Sequence, residues 1–143
     1  METSTHIPLS EEAALVTALA STAMPFSHCA EDEAERWLRV MRLHGDVGRA
    51  LQALGVGEGP LETTTDICAE PASTPPMGQE AFDRLVREAE RNAVARQATA
   101  VGTADLLVAL FDVYGDKLDH ALEVRGASRV EVLERLDEIV DGV

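Results

Sequence analysis

Behind a polar start made of Ser10, Glu11 and Glu12, apolar residues crowd the chain from Ala13 to Ala23. A hydroxyl at a helix N-cap accepts a bond from a free amide, and acids in the first turn face the positive end of the helix dipole. The stretch therefore predicts a helix that stops near Met24 and Pro25. Trp37, Leu38, Val40 and Met41 mark a second helix over 31–43, which Gly45 breaks. A short third helix is expected over 46–54, with Gly55 suited to its C-cap. Phe82, Leu85, Val86, Ala89 and Ala93 fall at i, i+3, i+4, i+7 and i+11, one stripe of a helix with Asp83, Arg84, Arg87, Glu88 and Arg91 opposite. Thr103 is the expected cap of a helix through Leu106, Leu107, Leu110 and Val113, with Asp105 in its first turn. Gly115 breaks the chain, and a short helix follows to Val124, before Gly126. Ser128 and Glu131 form a capping-box pair before a last helix with Val130, Leu133, Leu136 and Val140 on one face.

Between these two groups of helices the pattern lapses. Gly57, Gly59, Pro60, Pro71, Pro75 and Pro76, with Thr63, Thr64 and Thr65 together, read as an irregular connection. The expected organisation is a flexible tail over 1–8, starting at a native-looking N-terminus, and one domain over 9–143. Within that domain lie a first unit over 9–56, a linker over 57–76 and a second unit over 77–143. The first unit lacks a fourth helix, because Pro and Thr occupy the place where one would stand.

The two units share an order of features. Leu9-Ser10 corresponds to Met77-Gly78, Trp37-Leu38 to Leu106-Leu107, and Gly45-Asp46 to Gly115-Asp116. Ala50-Leu51 with Gly55 recurs as Ala121-Leu122 with Gly126. Ordered self-similarity of this kind signals one helical unit used twice, each covering the apolar face of the other.

Composition agrees with helices. The 143 residues are 45% apolar but only 3% aromatic, and Ala and Leu favour helices while sheets favour aromatic and β-branched residues. The net charge of −14 repels nucleic-acid phosphates and anionic membrane surfaces, which turns the expectation toward polypeptide partners. No apolar run is long enough to span a bilayer, and no basic-then-apolar leader is evident. Two cysteines, Cys29 and Cys68, make no disulfide framework, so free thiols and a reducing cytoplasm are the default.

Val101-Gly102-Thr103-Ala104-Asp105-Leu106-Leu107-Val108-Ala109-Leu110, followed by Ala121-Leu122 and Gly126-Ala127, resembles the Clp N-terminal repeat, present twice in ClpA-, ClpB- and ClpC-type unfoldases. The resemblance runs from about Leu9 to Leu136 and is stronger in the second unit. It implies an all-α fold of two pseudo-twofold-related helical repeats. It also implies a non-catalytic role: a monomeric platform that binds protein substrates or adaptors and serves a Clp ATPase. A stand-alone copy would be an adaptor, or a decoy that competes for ligands of the full enzyme.

In ClpC-like members a hydroxyl at the first helix start and the Glu of a T-E-H segment help form phosphoarginine pockets. The resemblance assigns these places to Ser10 and Glu35, with Arg36 at the His position. In the second unit Gly78, Ala104 and Asp105 depart from the pattern, which argues against phosphoarginine itself as the ligand. The plainer readings are an N-cap for Ser10 and a solvated helix face for Glu35.

Catalysis finds little in the residues. No G-x-x-x-x-G-K-[ST] loop is present, so no nucleotide cofactor is expected. His6, His28, His44 and His120 are scattered relative to Cys29 and Cys68, so no metal is expected either. A small helical enzyme built on Glu35 or the Cys29 region is the alternative from another class. Trp37 is expected in the core, and Met24, Pro25 and Phe26 form a small apolar loop that is a candidate partner contact.

Overall fold

The computed structural model describes residues 7–27, 29–55, 77–124 and 126–141. The protein is all-helical across them. The order is α1 (Glu11–Ala23), a 3-10 turn (Met24–Phe26), α2 (Ala30–Met41), α3 (Gly45–Ala53), α4 (Gly78–Ala95), α5 (Thr103–Tyr114), α6 (Asp116–Val124) and α7 (Arg129–Asp141). The linker expected over 57–76, and with it the missing fourth helix, lies outside the described residues. No helix among the described residues is long and apolar enough to cross a membrane.

The centre of the bundle is α5. A helix with a wide apolar face has to be covered along most of its circumference. Leu106, Leu107, Ala109, Leu110, Phe111 and Val113 form a wide face of α5 and all are buried, while Val108 and Asp112 on the remaining side are exposed. The helix accordingly packs against α1, α2, α3, α4 and α6. Trp37 of α2 stacks on Phe82 of α4 with ring centroids 5.6 Å apart, and Trp37 is fully buried, in the core where it is expected. Arg129 at the start of α7 grips Asp119 of α6 through two bonds of 3.0 and 2.9 Å and lies over the Phe111 ring.

Several sequence expectations shift in detail. Residues 7 and 8 do not behave as a tail: Ile7 donates to Glu90 at 3.2 Å, and Pro8 accepts the Val101 amide at 2.8 Å. With Ser10 donating back to Val101 at 2.8 Å, this short parallel bridge sets the start of α1 beside the start of α5. Thr103 is the first residue inside α5 rather than its cap. Gly102 takes the cap position, and Asp105 reaches back to accept the Gly102 amide at 2.9 Å. In α7 the buried stripe is Val132 and Leu136, while Val130 is 61% exposed. Residues 132, 136 and 139 are the ones spaced to share a face, and Val130 falls outside it. Cys29, expected as a thiol, is buried and disulfide-bonded. The expectation of a reducing compartment rested on free thiols and loses that support.

Candidate functional site

Three helix starts meet at one end of the bundle. Ser10 caps α1, its Oγ accepting the Ala13 amide at 3.1 Å. The Leu9–Val101 bridge brings the start of α5 alongside. Gly45, the first residue of α3, closes the triangle against Thr103. Between them opens a pocket of about 430 Å³, rimmed further by Arg96 at the end of α4 and by Leu136 and Asp137 of α7.

Gly45 makes this room. It sits at φ +67°, a left-handed conformation that only glycine adopts freely. A Cβ there would stand 2.8 Å from the Thr103 hydroxyl oxygen. Thr103 is only 6% exposed, lines the pocket, and its hydroxyl makes no hydrogen bond among the described residues. A hydroxyl with no protein partner that faces an open pocket can give and accept one bond each to whatever enters, water or ligand.

Charge is mixed around this pocket. The first amides of a helix have no partner within it and carry partial positive charge, so three converging starts favour an oxygen-rich or anionic group at the floor. Glu12, Asp46 and Asp137 place carboxylates at the wall, and Arg49 and Arg96 place guanidiniums. Arg96 is engaged: it holds Asp105 through bonds of 2.8 and 2.6 Å, which raises its already high pKa. Arg49 leans on Asp46 at 3.3 Å, both exposed. The arrangement suits a ligand with a polar or negative tip and a positive or hydrogen-bonding body. No group of three or more metal-ligating side chains occurs among the described residues.

The residues assigned by resemblance are not brought together. Ser10 does line the pocket. Glu35 lies in the middle of α2 and is buried, not on a solvated face, and it does not line the pocket. Arg36 bonds Asp32 at 3.1 Å and the Ala23 carbonyl at 3.5 Å, at the far end of α1 from Ser10. A helix of 13 residues separates the two by about 20 Å.

Helices α2 and α5 are both 12 residues long. In each the third residue is a buried aspartate held by an arginine, Asp32 by Arg36 and Asp105 by Arg96. Counted from the two helix starts, Trp37 and Leu110 are both the eighth residue, and Glu31 and Ala104 both the second. By sequence Gly45 is a helix breaker and Thr103 a helix cap, and their meeting is a tertiary contact with no linear signal.

The start of α4 is finished differently. Glu33 of α2, 1% exposed, accepts the Met77 amide at 2.9 Å and the Gly78 amide at 3.1 Å, and takes the Tyr114 hydroxyl at 3.2 Å. That helix start is closed by the chain's own carboxylate. Burial, and then the Glu33 charge, push the Tyr114 pKa well above the ordinary tyrosine value. A raised pKa means the fold holds the neutral phenol. The unfolded chain gives up this proton first, so stability is intact below about pH 10 and falls above it. Tyr114 is the sole tyrosine, so tyrosinate absorbance is expected to lag far behind that of free tyrosine and to rise together with unfolding. Ordinary titration in a folded chain would contradict this.

The fold and the pocket define a class: an all-helical bundle with an open polar pocket where helix starts converge. No protein-family model matches the chain, and no curated protein matches it in sequence.

Proposed function

We propose that this chain is a non-catalytic protein-recruitment module of the Clp N-domain kind, which receives a polar side chain of a partner polypeptide in the pocket between α1, α3 and α5. The observation that carries the reading is Thr103, a nearly buried residue whose hydroxyl is left to the pocket that Gly45 keeps open. Two further features support it. Each half runs a 12-residue helix into a 9-residue one, α2 into α3 and α5 into α6, in keeping with a duplicated unit. The chain's charge of −14 suits neutral or basic polypeptides better than nucleic acid. In this reading the partners are protein substrates or adaptors, delivered to or withheld from a Clp ATPase.

Calorimetry with an unfolded model protein tests it. Saturable binding is expected, and Thr103→Val, which removes the hydroxyl and keeps the shape, should weaken it roughly three- to tenfold, the worth of one hydrogen bond. Phosphoarginine titrated in parallel should give little heat, because Ala104 stands where a carboxylate would grip the guanidinium. Equal affinity in wild type and Thr103→Val, or no binding at all, would remove the pocket from the account.

A further inference from the structure

The outer face of α1 is the least explained surface of the molecule. Both charged residues of α1, Glu11 and Glu12, lie in its first turn, and the rest is apolar or hydroxylic on every side. A helix of that composition is normally enclosed. Here Ala13, Val16 and Ala20 are buried, but Leu15 is 45% and Leu19 40% exposed, with Ala14 and Ala18 open beside them. Nothing among the described residues covers this face.

The strip does not end with the helix. Ala14, Ala18, Ser21 and Pro25 follow one another at i, i+4, i+7 and i+11, so they share a line along the surface. That line runs into a groove of about 220 Å³ formed by Ser21, Met24, Pro25, Gly78, Gln79 and Phe82. Small residues along the line let another helix approach closely, while Leu15 and Leu19 form a ridge beside it.

Charge decides the occupant. Glu11 and Glu12 stand at one end of the strip, and Asp83, which accepts from Gln79 at 3.0 Å, stands beside the groove at the other. Arg36, near the C-terminal end of α1, is neutralised by Asp32. A second copy of a chain with charge −14 would bring like charges together. The geometry points to a basic amphipathic helix of a partner protein, lying along α1 with its apolar stripe on Leu15, Leu19 and the groove and its cations toward Glu11, Glu12 and Asp83. The inference shares with the recruitment reading only the premise that the chain binds polypeptides; it does not use the pocket at Thr103.

The test uses the full chain and an 18-residue leucine–lysine peptide without tryptophan, patterned as an amphipathic helix. A scrambled peptide of the same composition and a leucine–glutamate version serve as controls. Phe82 lines the groove and stacks on Trp37, the sole tryptophan, so Trp37 fluorescence reports occupancy. The patterned basic peptide is expected to bind at least tenfold more tightly than either control. The double variant Leu15→Gln, Leu19→Gln should lose at least tenfold while keeping its circular dichroism, and Thr103→Val should bind the peptide as wild type does. Equal binding of patterned and scrambled peptides, or full affinity in the double variant, would overturn the inference. So would concentration-dependent dimers in sedimentation that vanish in that variant, since they would assign the face to a second copy. Loss of unfolded-protein binding in Thr103→Val with peptide binding intact separates the two sites.

Discussion

Glu33→Ala is expected to lower the unfolding free energy by about 3 kcal/mol, the worth of a buried charged acceptor and its bonds. Glu33 is the buried acceptor for the Met77 and Gly78 amides and for the Tyr114 hydroxyl, so it ties α2 to α4 and α5 at once. Hydrogen bonds to a charged group contribute about 1.5–3 kcal/mol each, but the loss is not three times that. Gly78 is exposed, and its freed amide finds water. The Tyr114 hydroxyl is buried and does not, so most of the loss arises there. Glu33→Gln keeps one acceptor oxygen and removes the charge, and should lose about half as much, on the order of 1.5 kcal/mol. Urea denaturation followed by Trp37 fluorescence reads both. A loss below about 1 kcal/mol for Glu33→Ala would mean that α4 is held by packing alone.

The second large effect is expected at Gly48→Ala, where two opposing terms differ in size. Within a helix, alanine is favoured over glycine by about 1 kcal/mol. Gly48, however, lies in α3 against the end of α2, and a Cβ there would stand 2.8 Å from the Arg42 carbonyl oxygen and 2.9 Å from that of Met41. Both neighbours are backbone and cannot swing aside as a side chain would. Overpacking of this kind costs about 1–3 kcal/mol, and backbone contacts lie at the upper end, so the net expectation is a loss of about 2 kcal/mol. Because α3 carries Gly45, its displacement should also weaken ligand binding at the pocket. Gly55→Ala is the control. Gly55 has φ +75° but nothing within 4 Å of the added carbon, so its loss should be limited to the left-handed strain of about 1 kcal/mol. Equal losses at the two positions would mean that the contact with α2 is not what requires glycine at 48.

Much of the fold is legible in the sequence for reasons these residues make plain. Helices announce themselves through local chemistry: Ser10 ahead of two glutamates, Gly55 after an Ala-Leu run, Ser128 accepting the Glu131 amide at 3.2 Å. Breaks at Gly45 and Gly115 carry positive φ, and glycine is the residue that permits it. What the sequence does not carry is which helix starts meet. Glu35 was placed in a binding role because Trp37-Leu38 resembles Leu106-Leu107, and leucine-like pairs recur every turn of a helix. Such pairs fix the face but leave the register open by one turn. Asp32 and Asp105 are each the buried third residue of their helix, and a charged residue at such a position is a better anchor for comparison than an apolar pair. The bond at Cys29 was missed because two cysteines alone carry no pairing pattern.

The central claim is that polypeptides bind at the pocket where α1, α3 and α5 begin. Amide chemical-shift mapping of the isotope-labelled chain, titrated with an unfolded model protein, tests it most directly. The account predicts shifts that saturate and cluster at Ser10, Gly45, Asp46, Gly102, Thr103 and Ala104, and that fade in Thr103→Val. Saturating shifts that leave these amides unmoved, or an absence of shifts at every ratio, would contradict it.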